Sequence, residues 1–155
     1  MTHANISLAA QKVTQERVNR RYRQDTRTSQ LEQVLVYSLN ADFMKAWEEK
    51  GELFYGLEIV MNDVRSQANT YDIALDSSYG GLSRYPDGGS GMNSYAAYIS
   101  FDRKFGEKWN ATAGLRYSLG TLHANFADTT FFPFPYQEVN QKNSAITWTA
   151  GIVYR

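Results

Sequence analysis

Apolar residues recur at every second position through most of this chain. In residues 31–47, LEQVLVYSLNADFMKAW, the odd positions read Leu31, Gln33, Leu35, Tyr37, Leu39, Ala41, Phe43, Lys45 and Trp47. The even positions carry most of the polar groups. The segment ELFYGLEIVMNDV repeats the rule with Leu53, Tyr55, Leu57, Ile59 and Met61 against Gly56, Glu58, Val60 and Asn62. SYAAYISFDRKF sets Tyr95, Ala97, Ile99, Phe101 and Phe105 on one face. WNATAGLRYSLG sets Trp109, Ala111, Ala113, Leu115, Tyr117 and Leu119 there, and SAITWTAGIVYR sets Ile146, Trp148, Ala150, Ile152 and Tyr154. From Asn5 to about Tyr22 the alternation opens in phase at Ile6, Leu8 and Ala10, then turns polar. A period of two is the signature of a strand with unlike faces. The pattern predicts an all-β, antiparallel up-and-down meander of about six strands.

The connections alternate in length. EEKG (48–51) and GEK (106–108) are short, whereas those around 23–30, 69–93 and 123–143 are longer. Short turns at one end and long loops at the other are what a transmembrane β-barrel shows. The non-apolar face is rich in Gly, Ser, Thr and Asn, with isolated charges at Asp42, Glu58 and Arg116. A solvated outer face would carry more Lys and Glu, so this face reads as a lumen wall, with Asp42, Glu58, Asn62 and Arg116 its polar landmarks. Trp47, Phe54, Phe105, Trp109 and Tyr154 lie near the short turns, where an interfacial aromatic girdle falls. The competing reading is a soluble β-protein whose aromatics fill its core.

Composition supports strands. Aromatics make up 14% of the 155 residues at a mean hydropathy of −0.50, a pairing that suits sheets better than a Leu- and Ala-based helical core. Sixteen basic and sixteen acidic residues cancel, so no whole-chain field steers the protein to nucleic acid. Without cysteine, disulfides, thiol catalysis and Cys-ligated zinc are excluded. The start MTHANISLAA lacks a basic stretch followed by an apolar core, so no signal peptide is visible. No run reaches the roughly 18 apolar residues of a membrane helix, a test that alternating strands escape.

Three stretches carry a family resemblance. FDRKFGEKWNATAGLRYS resembles the strand–turn–strand of TonB-dependent outer-membrane receptors, in which a tight turn is followed by a Trp and a GLRY-type stretch. RYPDGGSGMNSYAAYI and FFPFPYQEVNQKNSAITWTAGIVYR are similar to barrel segments of such receptors in the Bacteroides–Flavobacterium lineage. The family has a plug followed by a barrel of roughly 22 strands. It imports iron-siderophores, haem or other large nutrients with energy delivered by the TonB complex. Neither a plug nor a TonB box is recognisable here, and the chain ends without the terminal aromatic usual in barrels. The resemblance therefore implies that residues 1–155 are a partial barrel segment of a larger receptor, in the outer membrane of a Gram-negative bacterium. Implied partners are outer-membrane lipid and lipopolysaccharide, the ferric or other nutrient ligand, and TonB acting through a plug elsewhere. The alternative is a small independent envelope β-barrel or β-sandwich with a ligand-binding or structural role.

Candidate contacts follow from composition. RVNRRYRQDTR (17–27) holds five Arg at the outer end of the first hairpin. There Arg20, Arg21 and Arg23 could fork onto lipopolysaccharide phosphates or an anionic chelate, although a solvated strand end explains them equally. The run also suits nucleic acid, but Glu16, Asp25 and zero net charge argue against that partner. In RYPDGGSGM, Pro86 fixes φ and Gly88 and Gly89 can take the positive φ of a tight reversal, with the chain re-entering the barrel at Ser94. Tyr85 is then a loop or ligand contact. FFPFPY offers Phe132 and Phe134 for stacking on a planar ligand, or for rigidifying its own loop. His123, as an isolated histidine, is a weak candidate for a haem axial ligand, and His3 lies near the terminus. No cofactor, metal site or enzyme is expected: HExxH, Ser–His–Asp and phosphate-loop patterns are all missing.

Overall fold

The computed structural model describes residues 2–47, 51–128, 130 and 135–154. Its elements are all strands: β1 (Thr2–Arg20), β2 (Thr26–Trp47), β3 (Gly51–Asp72), β4 (Ser77–Gly80), β5 (Ser90–Phe105), β6 (Trp109–Asn125) and β7 (Glu138–Tyr154). They form one antiparallel sheet in the order β1-β2-β3-β5-β6-β7, with β4 paired to β3 beside that path. Sequence-adjacent long strands are therefore neighbours throughout, as in an up-and-down meander. No described helix is long and apolar enough to cross a membrane.

The strands outrun the alternation that announced them. β2 and β3 are each 22 residues long, whereas a barrel strand needs only about 9–11 to cross a bilayer. The first connection shrinks to 21–25. The third is partly strand, and β5 resumes at Ser90 rather than Ser94. Antiparallel pairing satisfies backbone groups whatever the side chains are, so a polar strand extension next to another one leaves no apolar rhythm in the sequence.

Register aligns the faces. Leu39, Ile59, Tyr95 and Leu119 lie in one cross-strand row on the outward face. Below it come Ala41, Leu57, Ala97, Tyr117 and Ile146, then Phe43, Tyr55, Ile99, Leu115 and Trp148. Leu8 and Ile6 continue the first two rows on β1. The Phe43 and Tyr55 rings stack at 5.2 Å, and the Trp109 and Tyr154 rings meet at 4.8 Å.

The apolar band crosses these rows obliquely. One row above Leu39, Tyr37 and Met61 are still apolar but their partners are Asn93, Thr121 and Lys142. One row below Phe43, β2 has already turned polar at Lys45 while Leu53, Phe101, Ala113 and Ala150 persist. Both borders shift toward the short turns from β2 to β7. Strands tilted across a slab of fixed thickness must show this drift, since rows run perpendicular to the strands and the slab does not.

The sheet is a single layer without a core of its own. Among the described residues the buried hydrophobics are Ala41, Ala96 and Ala124, while Leu8, Trp148 and Ile152 stand 81%, 78% and 72% exposed. A soluble domain would bury such a face under a second layer, and among the described residues nothing packs on it.

Candidate functional site

The face opposite the band is built around two pairings that each span three strands. Tyr98 on β5 donates its hydroxyl to Asp42 Oδ1 on β2 at 2.6 Å. Between them in register lies Gly56 on β3. A Cβ there would stand 2.6 Å from the Ala41 carbonyl oxygen and 2.8 Å from the Tyr98 ring, so the glycine makes the crossing available. Arg116 on β6 makes an ion pair through Nη2 with Glu58 Oε2 on β3 and donates from Nε to Ser118 Oγ at 3.2 Å. The position between Glu58 and Ser118 is Ala96, again small and buried. Nearer the short turns, Asp102 accepts from Thr112 Oγ1 at 2.6 Å and from Asn110 Nδ2 at 3.2 Å. Asp42, Glu58, Asp102 and Arg116 thus find their partners within the wall. Asp42, Glu58, Asn62 and Arg116 share this face, with Asn62 Nδ2 donating to the Met92 carbonyl at 3.0 Å. Tyr98, Asp102 and Thr112 join them. Their roles escaped the sequence reading because only register shows which small residue lies between two partners.

One girdle assignment changes. Phe54 points to the inner face, opposite Met44 and Ser100 in register, because its even position shares the phase of Glu58. The backbone of Trp47 pairs with Gly51.

At the long-loop end, residues 81–89 fold against β3 where β4 and β5 leave its edge open. Gly81 N donates to the Ala68 carbonyl at 3.0 Å, Gln30 Nε2 to the Leu82 carbonyl at 2.9 Å and Tyr85 N to Ser66 Oγ at 3.3 Å. Ser66 is 1% exposed; Glu32, opposite it in register, is 5% exposed with Oε1 lacking a hydrogen-bond partner. Asp87 then ties this loop to the next: its carboxylate accepts from Ala127 N and Asp128 N, both at 2.9 Å. Gly88 N donates to the Asn125 carbonyl at 3.0 Å and Asn125 N to the Gly89 carbonyl at 2.9 Å. Gly89 takes the positive φ of +92°, whereas Gly88 is required for room, since its Cβ would lie 2.8 Å from Asn125. Asp128 in turn accepts from Thr130 N at 2.8 Å, and hydrogen bonding from the Thr130 side chain, then from its backbone, lowers the Asp128 carboxyl pKa below the ordinary value.

The remaining sequence candidates do not converge. Tyr85 is 43% exposed with Arg84 5.9 Å from its ring centre. His123 faces outward and hydrogen-bonds through Nδ1 to Asn140 Oδ1 at 2.7 Å, with Glu138 at 3.7 Å. His3 is opposite Met44 on β1. Arg20, Arg21 and Arg23 sit at the β1–β2 tip. Phe132 and Phe134 lie outside the described residues. Among the described residues no group of three His, Asp or Glu could hold a metal ion.

Comparisons with known proteins agree with this geometry. The structure is similar to that of a chain described as "Copper transporter OprC", with a TM-score of 0.66 and 13% sequence identity over 96% of this chain and 24% of that one. At that identity the likeness concerns the fold, and this chain spans about a quarter of the other's length. No curated protein matches. Residues 3–145 match the outer membrane protein beta-barrel family. The chain belongs to that family, which places it in the outer membrane.

Proposed function

We propose that this chain is a contiguous arc of wall and surface loops in a larger transporter of the TonB-dependent type, one that admits a nutrient too large for passive diffusion. The observation that carries the proposal is the uncovered apolar face on a single sheet whose end strands β1 and β7 are not neighbours. An arc with two open edges must continue into further strands to satisfy its backbone in lipid. The structural neighbour, about four times longer, is described as a transporter.

In this reading the arc's role is passive. Its inner face satisfies Asp42, Asp102, Glu58 and Arg116 within the wall and so offers an incoming plug or ligand a wetted polar surface. Energy-coupled release belongs to a plug reached by TonB outside these residues, and the wall performs no reaction. The cargo is an iron-siderophore, haem or another large nutrient, approaching through the loops tied by Asp87. Lipopolysaccharide surrounds the outward face.

The test is an immunoblot of outer membranes from source cells with antibody to this chain, boiled and unboiled. The proposal expects a band several times larger than 17.7 kDa that changes mobility on boiling. A band near 17.7 kDa in the soluble fraction would overturn it.

A further inference from the structure

The β1–β2 hairpin rises well beyond the apolar band and ends in an unusual charge arrangement. Arg20 and Arg27 are directly opposite each other in register. Both belong to the outward phase, and the next position in their row is Tyr71 on β3. Like charges set opposite each other across two strands repel. Arg21 and Arg23 add to them in the turn. None of Arg17, Arg20, Arg21, Arg23 or Arg27 forms an ion pair among the described residues. Glu16 is occupied by Ser29 Oγ at 2.8 Å.

Local contacts hold the two guanidiniums without neutralising them. Arg27 lies over the Tyr71 ring at 5.5 Å, and Tyr71 Oη is fixed by Asp76 Oδ1 at 2.6 Å. Stacking on a ring leaves a guanidinium's in-plane donors free. Arg20 donates Nε to the Gln24 carbonyl at 2.9 Å, which leaves both terminal nitrogens available. Two guanidinium forks carried by directly paired positions on one face suit an oxyanion with several acceptor oxygens.

Height and direction identify the source of that oxyanion. The outward apolar run of β2 ends at Leu35, eight residues from Arg27 (35 − 27). At about 3.3 Å per residue and a tilt near 40°, the arginines stand roughly 20 Å above the band. Lipid headgroups occupy only about 5–8 Å on each side, so the phosphates of the lipid anchor lie too low. A ligand bound for the lumen would meet the inner phase of this hairpin, where Arg17 pairs with Gln30. We infer that Arg20 and Arg27 form an outward anion site for a phosphate- or carboxylate-bearing sugar in the core of a neighbouring lipopolysaccharide. This rests on the outer-membrane wall reading above.

The full-length protein is extracted from outer membranes, and lipopolysaccharide retained per barrel is measured by phosphate assay and native mass spectrometry. It is also reconstituted with lipopolysaccharide carrying either a complete core or one truncated before its charged sugars. The wild type should retain the complete form. R20Q/R27Q should weaken retention by about tenfold or more, the cost of losing a charge-assisted contact. R17Q, a single charge loss on the opposite phase, should leave it unchanged, and truncated lipopolysaccharide should bind the wild type no better than complete lipopolysaccharide binds R20Q/R27Q. R20K/R27K, which keeps charge but not the fork, should fall between and serves if the glutamine variant fails to fold. Equal losses in R17Q and R20Q/R27Q, or no loss in the latter, would overturn the inference. Failure of the barrel reading is distinguishable, because the wild type would then show no change in mobility on boiling.

Discussion

Tyr98 crosses Gly56 to donate a hydrogen bond from its hydroxyl to Asp42 Oδ1, 2.6 Å away and two strands distant. The contact joins β2, β3 and β5 on the face opposite the apolar band, and its geometry depends on the absence of a side chain at Gly56. Tyr98→Phe removes only the hydrogen bond and should cost on the order of 1 kcal/mol in a partly exposed site. Gly56→Ala should cost more, because the added Cβ meets the backbone oxygen of Ala41 as well as the movable ring. Urea-unfolding midpoints of the full-length barrel in lipid vesicles would rank the two. A Gly56→Ala barrel as stable as wild type would refute this account of the crossing.

Glu58 and Arg116 bridge β3 and β6 over Ala96, with both side chains about 40% exposed. At that exposure the pair is worth less than about 1 kcal/mol. Glu58→Gln and Arg116→Met should each destabilise slightly, and the double variant should recover part of the sum. A double-mutant cycle measures the coupling; strict additivity would show that the two side chains do not interact.

Asp87 and Glu32 act in opposite senses on the loop end of the wall. Asp87 fastens residues 81–89 to 125–128 through two backbone donors, while Glu32, opposite the loop-bound Ser66, keeps an oxygen buried with no partner, at a cost of about 1–3 kcal/mol. Asp87→Ala should open both loops to protease, and Gly88→Ala should do the same by colliding with Asn125. Glu32→Leu should protect them. Cleavage rates in intact cells give the readout; identical rates in all three variants would show that the two loops are independent.

The second loop also carries a pH signature. Hydrogen bonds from Thr130 hold the Asp128 carboxyl below its usual pKa. A carboxylate with a depressed folded pKa contributes order that is present above its unfolded value and lost as pH falls through the folded one. Protection of this loop should therefore be flat around neutrality and decline only in acid, beneath the ordinary carboxylate range. Asp128→Asn should show weaker protection at neutral pH and a smaller acid decline, measured by hydrogen exchange at residues 126–130.

The lipid-facing half of this architecture was legible in the sequence because burial in lipid imposes period two on Leu39, Leu57, Ile99, Leu115 and Trp148. The polar extensions of β2 and β3 were not, since water on both faces imposes no rhythm. Phe54 was misread because an aromatic near a turn fits either phase, and only its pairing with Met44 and Ser100 decides. Asp42, Glu58 and Arg116 stood out as lone charges in a small-residue face. Their partners stayed hidden because contacts across three strands depend on a register that no single segment encodes.

Lipid on one face and water on the other is the central claim, and it is directly measurable in a cysteine-free background, since residues 1–155 contribute no cysteine of their own. Single cysteines at Leu57, Glu58, Leu115 and Arg116 in the full-length protein would be probed in intact outer membranes with a water-soluble thiol reagent. The account predicts labelling at 58 and 116, and protection at 57 and 115 that ends when the membrane is dissolved and the chain unfolded. Equal labelling at all four positions, or protection confined to 58 and 116, would contradict it.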